Sequence, residues 1–240
     1  MFRVVKMFLC YLVVQFGILF FMVFDFINKG NDPNLVSDYI NDNRVYLVIF
    51  LGIIFIPILY FKYNKFNIKK EKLKDIYILI LLGISLSLVY NVFGFYFDKI
   101  LNTNLYGVFD IKTTLISTVL IGPVIEEYLF RGVMYNEAKK IYSLKKSILI
   151  VTLIFSLSHA TLIQMIYAFI IGLVLIRVYE KYKNLNSCII VHLFSNLTTT
   201  FLTIILIKNN LLLNLVMFVI GLFILLFIKG KKYDIILNRW

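Results

Sequence analysis

Eight apolar spans set the limits on this chain before any motif does. They run over residues 7–24, 45–61, 75–96, 113–138, 147–161, 163–180, 188–207 and 211–228. A helix crosses a bilayer with about 20 apolar residues. Most of the spans approach that length, and the fifth is short. Lipid offers no water to pair backbone N–H and C=O groups, so such runs close their hydrogen bonds internally, as helices. The fold class that follows is all-α: a polytopic membrane protein of about eight transmembrane helices, conical or bundled around its core. Composition agrees. With 61% hydrophobic residues and a mean hydropathy of +0.89, too little charge remains to clothe a water-facing surface. Three prolines and no Ser/Gly-rich linker or internal repeat argue for one membrane domain. Cys10 and Cys188 fall inside apolar runs without motif spacing and read as packing residues, not as a disulfide or a metal pair.

The formal net charge of +12 would suit a nucleic-acid partner, but its placement points elsewhere. Of 25 Lys and Arg residues, only Lys29, Arg44, Lys99, Lys112 and Lys208 fall on the side of the spans away from the N-terminus. Arg131 lies deep within a span, and all the others, including Arg177 near the end of its span, share the N-terminal side. That asymmetry is the positive-inside rule. It places the protein in the cell membrane as a multi-pass chain with both termini cytoplasmic, its basic charge serving the bilayer and no nucleic acid. The first apolar run is too long for a cleaved signal peptide and no small-x-small site follows it, so it reads as a retained helix.

Against this background the stretch GPVIEEYLFRG, Gly122–Gly132, is out of place. A charge in the bilayer costs a few kcal/mol even on lenient scales, and needs a partner or a wet cavity. Glu127 and Arg131 are four residues apart on one helical face, where a carboxylate and a guanidinium can pair. Glu126 is turned about 100° from Glu127 by the helical pitch, so it has no such ready explanation. The chain's two histidines, His159 in FSLSH and His192 in HLFSN, also fall in spans, with Asn196 one turn beyond His192. Glu126, His159 and Asn196 lie equally many residues from Lys139, Lys146 and Lys183. At a rise of 1.5 Å per residue, each is at most about 20 Å from the cytoplasmic edge. One carboxylate, two imidazoles and an amide at one depth suit hydrolysis. The carboxylate can take a proton from water while an imidazole holds that water. The other imidazole and the amide can donate to an oxyanion. Alternatively Glu126, His159 and His192 could ligate a divalent metal such as zinc, leaving a position for water.

EEYLFR fits an EExxxR motif, FSLSH fits FxxxH and HLFSN fits HxxxN. Three such motifs, in this order and on separate helices, resemble the CAAX protease and bacteriocin-processing family (CPBP or Abi), to which the Ras-converting prenyl endopeptidase belongs. The resemblance covers roughly residues 115–200. It implies an eight-helix-type intramembrane endopeptidase reached from the cytoplasmic side. Carried over, Glu126 activates water with His159, His192 and Asn196 bind the oxyanion, and Glu127 and Arg131 support the site. It leaves open whether the cofactor is none or a metal on Glu126, His159 and His192. The chain then divides into N-terminal helices (1–110), a catalytic core (111–207), and a last helix with a basic tail (208–240). The substrates implied are peptides or proteins, among them prenylated C-termini and leader peptides.

Two other classes fit part of this pattern. Members of the family are associated with bacteriocin immunity, so a non-catalytic immunity or scaffold protein is one. An ion-coupled transporter is the other, although the inverted repeat it requires is not visible. Lys62 to Lys74 and the tail from Lys229 read as basic membrane-surface segments, and residues 97–110 as an interfacial stretch.

Overall fold

The computed structural model describes residues 2–63, 72–101, 111–159, 161–205 and 211–230. Those residues are helical apart from short connections. The helices are α1 (Phe2–Asn28), α2 (Val36–Asp42), α3 (Arg44–Tyr63), α4 (Leu73–Leu101), α5 (residues 111–139), α6 (Leu144–Leu157), α7 (Leu162–Tyr182), α8 (Leu185–Ile205) and α9 (Leu211–Gly230). The basic tail beyond Gly230 and most of the 62–74 and 97–110 stretches lie outside the described residues.

Six of these helices, α1, α4, α5, α7, α8 and α9, are long and apolar enough to cross a membrane, and the chain is a multi-pass membrane protein. A count of eight does not follow. In α3 the fully described part of the apolar stretch is Val45–Ile54. The expected fifth span, 147–161, falls short. It ends at Leu157 as the 14-residue helix α6, about 21 Å long at 1.5 Å per residue against a hydrocarbon core of about 30 Å.

The core forms around α5. Its residues Leu129 to Tyr135 are buried without interruption, with α3, α6, α7 and α8 packed against α5. Helix α5 is not regular. Two π-helical stretches, Leu115–Ile121 and Tyr128–Tyr135, flank the α-helical Gly122–Glu127. By contrast α1 faces outward, with Val13, Phe16, Phe20 and Phe21 exposed.

Within lipid, apolar surface alone does not hold helices together, so close backbone approach and interhelical hydrogen bonds carry the packing. Gly83 of α4 shows the first: a Cβ there would lie 2.5 Å from the Val191 carbonyl oxygen of α8. Ser87 Oγ and Thr199 Oγ1, 2.6 Å apart, show the second between the same two helices. Tyr167 of α7 bonds Ser195 of α8. The two cysteines differ from one another. Cys188 is buried, with Sγ 3.3 Å from the Leu175 carbonyl oxygen, whereas Cys10 is exposed on α1 and does not pack as expected.

Candidate active site

Glu126 and Glu127 close the short α-helical stretch of α5, where its second π-helical stretch begins. Glu126, which the helical pitch leaves without a ready partner, meets the same ring as Glu127. Glu127 Oε1 accepts from His192 Nδ1 at 2.8 Å, while Glu126 Oε2 lies 3.7 Å from His192 Nε2. An imidazole carries its nitrogens on separate edges, so one ring can meet two side chains that diverge. Glu127 is wholly buried, whereas the Glu126 side chain is 25% exposed. Only Glu126 of the two is open to a reactant.

Glu127 Oε1 also accepts from Arg131 Nη1 at 2.8 Å, as the four-residue spacing predicts. The guanidinium is buried and uses two further contacts: Nη2 donates to the Gly172 carbonyl at 3.3 Å, and the cation stands 4.3 Å over the Phe155 ring. Gly172 permits this approach. A Cβ there would sit 3.0 Å from Thr152 Cγ2 and 3.1 Å from Phe155 Cδ1.

His159 is not within a helix. It lies just past α6, in the bend to α7, and its Nδ1 donates to the Phe155 carbonyl at 2.9 Å. Ser158 Oγ donates to the same carbonyl at 2.7 Å. These side-chain donors take over the helix end that a continuing backbone would have bonded. On the other side of the bend Thr161 caps α7 by accepting from Gln164 N at 3.3 Å. His159 itself is partly exposed in this bend. Phe155 joins it to the rest of the site. The ring is T-shaped against His159 at 5.0 Å and against His192 at 5.9 Å.

Asn196 meets neither glutamate. Its Nδ2 donates to the Thr118 carbonyl of α5 at 2.8 Å, one turn beyond His192 along α8. The structure thus brings Glu126, Glu127, Arg131 and His192 into direct contact, links His159 to them through Phe155, and sets Asn196 beside them on another part of α5.

Sequence reasoning missed three contributors. Phe155 was visible only as the F of FxxxH. Gly172 gave no signal. Tyr11 of α1 lies in a region without motif; it is 7% exposed and edge-on to Phe130 at 6.3 Å. Among the described residues no three of His, Cys, Asp and Glu converge as a metal would require. Two apolar cavities, about 250 Å³ between α4 and α7 and about 520 Å³ between α1 and α3, include none of the site residues in their walls.

Residues 110–198 match the family model of the type II CAAX prenyl endopeptidase, Rce1-like. Over that stretch, which is less than half of the chain, the sequence is similar to the CAAX-protease family. The matched stretch contains every motif residue named above, from Glu126 to Asn196, and stops short of α1 and α4. That similarity points to a peptidase. No curated protein and no solved structure matches the chain.

Proposed function

We propose that this chain is an intramembrane endopeptidase that hydrolyses a peptide bond near the cytoplasmic side of the cell membrane. The observation that carries the reading is the pair of carboxylates on the two nitrogens of His192, within a stretch that matches an endopeptidase family. Glu126, the exposed member, takes a proton from water. His159 holds that water. Its Nδ1 hydrogen is committed to the Phe155 carbonyl, so a neutral ring turns an accepting Nε2 outward. The water oxygen bonds to the scissile carbonyl carbon, and the C=O electron pair moves onto oxygen. The His192 ring, through Nε2–H, and the amide of Asn196 donate to that oxyanion. When the C–N bond breaks, the amine leaves with the proton that Glu126 held. Glu127 and Arg131 keep His192 in place. The substrate is a peptide or protein, with prenylated C-termini and leader peptides the classes to offer first.

The test compares membrane-associated and secreted peptides from cells expressing the wild type or Glu126→Gln at equal levels. Gln keeps the size and hydrogen bonding of Glu but cannot act as a base. Specific products are expected to fall by a factor on the order of 10²–10⁴, and the lost termini name the substrate. If the variant keeps the protein's biological phenotype, Glu126 catalyses nothing and an immunity or scaffold role replaces this reading. The donor set for zinc would be Glu126, His159 and His192. It does not converge here, and no step is assigned to a metal. Cleavage is expected to survive a strong chelator; loss that added zinc restores would move the mechanism to a metal.

A further inference from the structure

Thr118, Gly122 and Pro123 have an unusual division of hydrogen bonds. In the first π-helical stretch of α5 each amide reaches five residues back, and the Gly122 N–H donates to the Ser117 carbonyl. The next amide in that register would serve Thr118, but it belongs to Pro123, which has no N–H. The two positions best placed to bond the Thr118 carbonyl therefore withhold a donor, one spent on Ser117 and the other chemically absent. A carbonyl left unpaired inside a membrane protein is costly, and here the donor comes from another helix: Asn196 Nδ2, at 2.8 Å.

We infer that Pro123 is a positioning residue of the site, leaving the Thr118 carbonyl to Asn196 and so fixing the direction of the Asn196 amide. A carboxamide carries two N–H donors on a rigid plane. With one held by Thr118, the direction of the second is set by geometry alone. A fixed donor stabilises a developing charge without having to reorganise during reaction. The inference rests on the oxyanion role proposed for Asn196.

The variant to make is Pro123→Ala, which supplies the missing N–H and lets α5 bond its own Thr118 carbonyl. Two properties should then separate. Thermal stability in detergent should hold or rise, because proline inside a helix is unfavourable. With the substrate found by the Glu126→Gln comparison, kcat should fall about three- to tenfold, the size expected for losing one well-placed hydrogen bond, and KM should stay unchanged. NMR of the Asn196 side-chain amide, assigned by its absence in Asn196→Ala, needs no substrate. In the wild type one of its two hydrogens should exchange slowly, and in Pro123→Ala both should exchange alike. An unchanged kcat, or a slow hydrogen that persists in the variant, overturns the inference. A drop in kcat accompanied by a drop in stability overturns it too, by assigning Pro123 to the fold. If Glu126→Gln is itself active, the endopeptidase reading has failed first and the positioning role falls with it. That outcome is recognised because it does not involve Pro123.

Discussion

Arg131 illustrates how one side chain can hold a buried charge at membrane depth. It gives one nitrogen to Glu127, another to the Gly172 carbonyl, and its flat face to Phe155. Removing one partner of a buried ion pair leaves the other charge uncompensated, at a cost of about 3–5 kcal/mol. Arg131→Met is therefore expected to lower the unfolding free energy by that order, and thermal melts in detergent would detect it. Arg131→Lys separates charge from shape. A lysine keeps the charge but lacks the planar fork that serves the carboxylate, the carbonyl and the ring together, so it should recover only part of the loss. Full recovery by lysine would mean that charge alone matters at this position.

At the scale of helices, the packing of α4 on α8 sets where His192 stands. Gly83 lies against the backbone of Val191, the residue before His192, and leaves no space for a methyl group. Backbone cannot rotate aside as a side chain can. Gly83→Ala should therefore push the helices apart, costing about 1–3 kcal/mol as overpacking does, and lower activity by moving His192. Gly17 of α1 is the control, since nothing lies within 4 Å of its would-be Cβ. Gly17→Ala should be neutral, or stabilising by a fraction of the roughly 1 kcal/mol that separates the two residues in a helix. Equal effects at the two positions would refute the packing argument. The bend between α6 and α7 belongs to this scale too. The short α6 ends at Leu157 and delivers His159 from a turn, where Ser158 and Thr161 complete the helix ends.

For the whole molecule, two basic helix ends meet on one carboxylate. Lys139 at the end of α5 pairs with Glu180 of α7 at 2.7 Å, and Lys183 pairs with the same carboxylate at 2.6 Å. The ends of α5 and α7 therefore share one side of the bundle, and Asn136 Nδ2 joins them again at 2.9 Å from Tyr179 Oη. If that side faces the cytoplasm, as the distribution of Lys and Arg requires, both termini face it as well. Reporter fusions at either terminus should then be active for a cytoplasmic reporter and silent for one that works only outside. The reverse pattern at both ends would invert the topology and place the site at the other membrane surface.

The membrane class and the all-helical fold were legible because each depends on local chemistry. An apolar run must close its own hydrogen bonds, and a rare polar residue inside one must have a partner. The spacing of Glu127 and Arg131 even identified that pair, since four residues bring two side chains together on α-helix and remain close enough across the π-helical junction. Which other partners meet was decided by tertiary structure. His192 between two glutamates, Phe155 between two imidazoles, and Asn196 on the Thr118 carbonyl all depend on how α5, α6 and α8 are rotated about one another. That rotation depends on the π-helical stretches of α5, where each bond spans one more residue than in an α-helix and turns everything beyond it. A burial cost requires that a partner exist. Only the packed helices select which one.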